Sequence, residues 1–213
     1  MPGDTLTIIG FPQGNFTRTV RILCEEKGIA YELDPAMPRT PPVDAIHPLG
    51  KIPVMRHGDV TLFESRAIAA YLELRFPEPP MMPIERLEAI RAEQWVSLIN
   101  TSIDRTMVRQ YILAYVLPSG PGGAVDRRVV DAAVPEMRRQ LGVLEAAVQR
   151  TPFLAGQAFA YPDAAILPIL DSLSPLPEGA EAMAERPALT AYLARGRERR
   201  SFIAASPPPM PAP

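Results

Sequence analysis

The chain has 213 residues, 47% hydrophobic and 22% charged, with a formal net charge of −2 at pH 7, which is enough for one large or two small domains with a buried core. So even a balance supplies no basic field for phosphates and argues against nucleic acid and anionic membrane as partners. One cysteine, Cys24, and two histidines, His47 and His57, exclude an intrachain disulfide framework and leave too few ligands for a cysteine/histidine metal cluster.

A signal-like charged and apolar opening is missing, as is any run of about 18 apolar residues, so the expected compartment is the cytoplasm. "DTLTIIGFP" (4–12) alternates and is β-branched before Gly10 and Pro12, which predicts a strand ending in a loop. In "TRTVRILCEEKGIAYEL", Val20, Leu23, Cys24 and Lys27 recur at helical spacing and Lys27-Gly28 supplies the stop, with "IAYEL" as the next strand. Residues 35–48 carry five prolines, so a loop or a single turn is expected there. "KIPVMRHGDVTLF" reads as two short strands around His57-Gly58-Asp59. From Ser65, the positions Ile68, Tyr71, Leu72 and Phe76 share one face, giving a helix that stops at Pro77. The first domain, 1–76, is thus expected to run βαβ, loop, ββα.

"PEPPMMP" (77–83) holds four prolines in seven residues and is the expected linker. Beyond it, "IERLEAIRAEQWVSLINTSIDRTMVRQYILAYVL" (84–117) and "GGAVDRRVVDAAVPEMRRQLGVLEAAVQR" (122–150) carry long helical periodicity. "PDAAILPILDSL" and "PALTAYLARGRERRSF" add two helices, making residues 84–205 an all-helical second domain, and "SPPPMPAP" (206–213) is expected to be a disordered tail.

The combination of "GKIPV", "FESRAIAAYL", a proline-rich linker and "PFLAGQAFAYPDAAI" resembles the cytosolic glutathione transferases over nearly the whole chain. That resemblance implies an α/β thioredoxin-like N-terminal domain, an all-α C-terminal domain, a homodimer, glutathione as cosubstrate and no metal. Ile52-Pro53, cis in the family, would turn the Ile52 amide and carbonyl toward the cysteinyl backbone of the tripeptide. Ser65 and the first-turn amides of its helix suit a carboxylate, and Glu64 an ammonium, which together fit a γ-glutamyl group. Lys51 and His47 are candidates for the glycine carboxylate.

Conjugation needs a thiolate, and an unperturbed thiol with a pKa near 8.5 is mostly protonated at neutral pH. The family aims a serine, cysteine or tyrosine at the sulfur, and alignment puts Gly14 at the usual serine or cysteine position. Asn15, with an amide donor, and Thr17, with a hydroxyl, are the substitutes at the helix N-terminus, Asn15 first. Cys24 reads as a core residue. In "FLAGQAFAYPD" Asp163 keeps one half of a capping box, but Ala160 replaces the capping hydroxyl. The acceptor site is expected in the interdomain cleft against the 84–117 helix, where Asp104, Arg105, Arg109, Tyr111 and Tyr115 are candidates, with Phe16 opposite.

Three functions follow. The first is transfer of glutathione to an apolar electrophile. The second is glutathione-dependent disulfide or peroxide reduction, or a lyase reaction, against which the absence of a cysteine at position 14 weighs. The third is a non-catalytic glutathione- or ligand-binding module, which Gly14 favours.

Overall fold

The computed structural model describes residues 5–208. It falls into two compact units, Met1–Met82 together with Glu198–Pro213, and Pro83–Arg197. The expected tail extends past the described residues from 209 onward.

The first unit is thioredoxin-like. β1 (Leu6–Ile9), α1 (Asn15–Glu26) and β2 (Tyr31–Asp34) form a βαβ crossover, α2 (Pro41–Asp44) is a single turn, and β3 (Val54–His57), β4 (Val60–Phe63) and α3 (Ser65–Arg75) complete it. The sheet order is β2-β1-β3-β4, with β1 parallel to β2 and antiparallel to β3, and β3 antiparallel to β4. Ile9, Val43 of α2 and Val54 cluster on one face of the sheet. Their neighbours Ile8 and Met55, opposite each other in the ladder and unexposed, point the other way by the strand's period of two, where α1 and α3 pack. Burial on both faces is why Ile8 and Ile9 are both apolar and the alternation that opens the strand stops there.

α1 stops where the sequence predicts: Lys27 is its C-cap and Gly28 follows at φ 64°, a left-handed turn suited to glycine. Its burial is less expected. Arg18 and Arg21 are buried alongside Val20, Leu23 and Cys24, because the chain's C-terminal segment lies on their side of the helix. The guanidinium of Arg18 sits 4.7 Å from the Phe202 ring, and Arg21 donates to the carbonyls of Ala204 (2.7 Å) and Ala205 (3.1 Å). The second domain was expected to run to residue 205, but these contacts group Glu198 onward with the first unit.

The second unit is helical among its described residues. α4 (Arg86–Leu98) is capped by Glu85, whose carboxylate accepts from Leu87 and Glu88 N–H, and continues through a wide-wound π-helical segment, Ile99–Ile112, into α5 (Leu113–Val116). Ile99, Ile103, Met107 and Tyr111, all buried, recur every fourth residue along that segment and face α6 (Arg127–Val148) and α7 (Tyr161–Leu173). α8 (Pro177–Ala184), too short and glycine-interrupted to show a clear period, was not expected. The single helix expected over 187–202 is two, α9 (Pro187–Arg197) and α10 (Arg200–Ala204), broken where the chain returns to the first unit. No helix among the described residues is long and apolar enough to cross a membrane.

Candidate functional site

The β3–β4 ladder pairs Val54 with Phe63, so one step further along it Pro53 lies beside Glu64. The register thus brings the Ile52-Pro53 edge next to the start of α3. The peptide between Ile52 and Pro53 is cis, and Ile52 lies beyond the last β1–β3 pair, Ile9 with Val54, so that ladder leaves its amide and carbonyl unused.

Glu64 takes a left-handed conformation, φ 65°, as the residue preceding α3, a strained choice for a non-glycine that concentrates at functional sites. Ser65 is the first residue of the helix, buried, and neither it nor Glu64 makes a side-chain cap; no acid lies in the first turn. The start of α3 is therefore capped by neither Glu64 nor Ser65, and no acid in its first turn offsets the positive end of its dipole.

His47, a candidate for the glycine carboxylate, is enclosed between Leu49, Phe63 and Glu64. Leu49 N–H donates to its Nδ1 (3.0 Å), which leaves the proton on Nε2, 3.4 Å from Glu64 Oε1. The ring is 3% exposed and packs on Phe63 at 4.9 Å between centroids. Nε2 lies near the Glu64 carboxylate without a hydrogen bond to it. Lys51 is exposed, as the carboxylate role requires. A second cation, Arg39, escaped the sequence reading: it is exposed, holds φ 60°, and its N–H bonds the carbonyl of Gly50, next to Lys51, at 2.9 Å. Gly50 itself has φ 61°, and a Cβ on it would lie 2.5 Å from Asp44 Oδ1, so only glycine fits that turn.

The start of α1 closes the group. Gly14 is its N-cap, at φ −63° and ψ 125°, and its N–H closes a turn onto Phe11 O at 2.9 Å. A Cβ on Gly14 would lie 3.1 Å from Phe11 O, 3.2 Å from Thr17 Oγ1 and 3.6 Å from Ile52 Cδ1, and one on Gly10 would lie 3.4 Å from Pro53 Cα. The α1 N-terminus thus abuts the Ile52-Pro53 edge. Arg18 N–H, bonded to Gly14 O at 2.9 Å, is the first amide engaged in the helix, so those of Asn15, Phe16 and Thr17 have no acceptor within it. Asn15 and Phe16 are half-buried. Thr17 is fully buried, and its hydroxyl lacks a hydrogen-bond partner among the described residues; it underlies Gly14 and caps nothing. Cys24 is in the core, where burial, chiefly, pushes its thiol up to about 12; it is no nucleophile.

In the second unit, Asp163 is wholly buried and accepts from Leu154 N (2.9 Å), Ala160 N (3.0 Å) and Tyr192 OH (2.7 Å). With alanine at the cap, only the carboxylate half of the box exists. Tyr111 and Tyr115, candidates for the acceptor site, are tied into an interhelix network. Tyr111 is fully buried and accepts from Gly179 N (2.8 Å), and both hydroxyls donate to Glu178 at 3.1 and 2.6 Å, with Arg127 donating to the same carboxylate at 2.6 Å. Arg105 is exposed, and Arg109, also exposed, pairs with Asp104 at 3.1 Å.

Burial alone would raise the Glu178 carboxyl, but Tyr115 and Arg127 hold it down at about 2. Its contribution to stability is therefore present above its ordinary value of 4.5 and is lost as pH falls through the folded-state value near 2. Glu178→Gln will lower the melting temperature at neutral pH and flatten the loss of stability between pH 4.5 and 2. Thermal melts across that range check it, and an unchanged acid limb would refute it.

Comparison with known proteins gives a consistent set of likenesses. The family "Glutathione S-transferase, N-terminal domain" matches residues 8–80, and "Glutathione S-transferase, C-terminal domain" matches 103–199. Glutathione S-transferase 3 of Zea mays is 31% identical over 221 residues, covering 97% of this chain and 96% of its own. A stringent starvation protein A homolog of Pasteurella multocida (strain Pm70) is 29% identical over 198 residues, covering 88% and 84%. The crystal structure of glutathione transferase F7 from Populus trichocarpa superimposes with a TM-score of 0.85 at 27% identity, covering 94% and 97%.

Proposed function

Because this chain belongs to the glutathione S-transferase family, we propose that it binds glutathione across β3, the start of α3 and the start of α1, and transfers it to an apolar electrophile. The observation that carries this is the β3–β4 register, which sets the Ile52 backbone beside Glu64 and Ser65. The Ile52 amide and carbonyl pair with the cysteinyl backbone as an added strand would. Ser65 and the α3 amides take the γ-glutamyl carboxylate, and Glu64 takes its ammonium. Lys51, with Arg39, takes the glycine carboxylate.

The sulfur then reaches the α1 N-terminus, where the amides of Asn15–Thr17, the positive end of the helix and the Asn15 carboxamide favour its anion. The thiol gives up its proton to solvent. The thiolate forms a carbon–sulfur bond with the electrophile, whose leaving group departs with the bonding pair. The protein works as the family does, as a homodimer, which sedimentation at micromolar concentration reads as a species near twice 23.3 kDa; a single species at the monomer mass refutes it.

Calorimetry with glutathione tests the binding site. Ser65→Ala will weaken binding by roughly 1–3 kcal/mol, the value of a hydrogen bond to a charged group. No heat at millimolar glutathione from folded protein overturns the site, and an unchanged affinity removes Ser65 from it.

One observation favours a second reading, glutathione binding without turnover: Gly14 carries no hydroxyl and Thr17 is enclosed. Steady-state turnover of an aryl halide separates the two. A redox function that forms a mixed disulfide with the protein is disfavoured, since the only cysteine, Cys24, is buried.

A further inference from the structure

The segment after residue 199 lies beyond both family matches, yet it follows α1 along its whole length. At the C-terminal end of α1, Arg199 clasps Glu26 through two bonds of 2.8 Å, and Ser201 donates to the same carboxylate. One and a half turns back, Arg21 holds the last carbonyls of α10, those of Ala204 and Ala205, groups a helix end otherwise leaves to water. Arg18 then covers the Phe202 ring. The segment ends its described course before the helix, where Gln13 Nε2 donates to Pro208 O at 3.2 Å.

Gln13 is the third residue of the Phe11–Gly14 turn, which has Pro12 in its second position and a single backbone bond, Gly14 N–H to Phe11 O. That turn sets where Gly14 and the first amides of α1 point. Because the Pro208 carbonyl accepts only, the Gln13 carboxamide must present its nitrogen there, and its Oε1 is turned inward, buried and without a partner among the described residues. The side chain is thereby held at both ends, by a bond outside and by enclosure within.

We infer that the C-terminal segment is a positioning element for the sulfur end of the glutathione site, acting through the Pro208–Gln13 bond on the turn that starts α1. This rests on the reading of the site above. Gln13 touches neither substrate nor sulfur; its part is to keep the α1 amides aimed. The segment therefore tunes how strongly bound thiol is acidified while leaving the γ-glutamyl and glycine contacts alone.

The test pairs Gln13→Met, which keeps length and removes the donor, with Pro207→Gly/Pro208→Gly, which keeps the carbonyl but loosens the backbone that carries it. In ligand-free full-length protein, hydrogen exchange at the Gly14 and Arg18 amides is expected to quicken about fivefold, the equivalent of one neutral hydrogen bond, while exchange from Val20 to Cys24 stays unchanged. With glutathione bound, the thiol pKa rises and kcat at neutral pH falls, with the glutathione Kd within about twofold of wild type, since the contacts that hold the tripeptide are untouched. The combined variant should be no worse than either alone, because both break one link. Unchanged exchange at Gly14 and Arg18 overturns the proposal, and so do effects that add. The exchange arm needs no ligand, so it decides the positioning role even if glutathione fails to bind, an outcome that refutes the functional reading instead.

Discussion

Asp163→Ala will lower the stability of the helical unit by roughly 3–5 kcal/mol, because it strands two buried amides and a buried hydroxyl that now share one carboxylate. In a chain of this length that is a fall of about 10 °C in melting temperature. The carboxylate joins three separated points, Leu154, Ala160 at the start of α7, and Tyr192 in α9, so its loss loosens both helices and the loop before them. Its titration adds a second signature. Burial dominates and pushes Asp163 up to about 6 from 3.8, against the pull of its three donors. A carboxyl raised on folding contributes stability below its unfolded value and loses it as pH rises through the folded one, here between 3.8 and about 6. Asp163→Asn will therefore be destabilised at every pH, since its amide cannot accept from all three donors, and will lack that slope. Melts of wild type and both variants from pH 4 to 7 decide the matter; a loss below about 1 kcal/mol for the alanine variant, the size of one ordinary hydrogen bond, would mean the three bonds do not act together.

Gly14→Ser will lower the pKa of bound glutathione by roughly one to two units and raise its turnover at neutral pH correspondingly, the effect of one hydroxyl donor on a thiolate. The backbone permits it: φ at Gly14 is −63°, an ordinary value for serine. The added Cβ meets Phe11 O at 3.1 Å and Thr17 Oγ1 at 3.2 Å, so these neighbours must give by a few tenths of an ångström. Asn15→Ala will shift the pKa the other way. The thiolate absorbance of the glutathione complex, titrated for all three proteins, reads both effects. If Gly14→Ser leaves the thiol pKa in place, the new hydroxyl has bonded Phe11 O or Thr17, and amides alone govern the sulfur. If Asn15→Ala does so, Asn15 has no part in it.

The thioredoxin-like unit was legible because its signals are local. Alternation marked β1, the turn at His57-Gly58-Asp59 marked the hairpin, and Gly28 marked the end of α1. Of the candidate site, the placing of Ile52 and Pro53 beside Glu64 and Ser65 was legible because it follows from that register. What was hidden depended on distant partners. Arg18 and Arg21 lie off the apolar spacing that marked α1, and nothing nearby in sequence says that Phe202 and two helix-end carbonyls will cover them. The enclosure of His47 was hidden because Phe63 and Glu64, which lie against it, are remote in sequence. Tyr111 and Tyr115 stand four residues apart, but a helical period cannot say whether they meet a ligand or Glu178. The wide winding of Ile99–Ile112 was equally invisible, because apolar residues spaced by four suit either helix.

The discontinuity of the first unit bears on the order in which the protein comes into being. Synthesis delivers β1 through α3 first, then the whole helical unit, and only at the end the residues from Glu198 that complete the first. Until that segment leaves the ribosome, α1 has its sheet side packed and its other side bare, with Arg18, Arg21 and Glu26 lacking the groups that cover them in the finished molecule. A nascent chain halted before Glu198 thus carries a finished helical unit and an unfinished partner, so the site at the α1 N-terminus is among the last features to mature although its residues are among the first made.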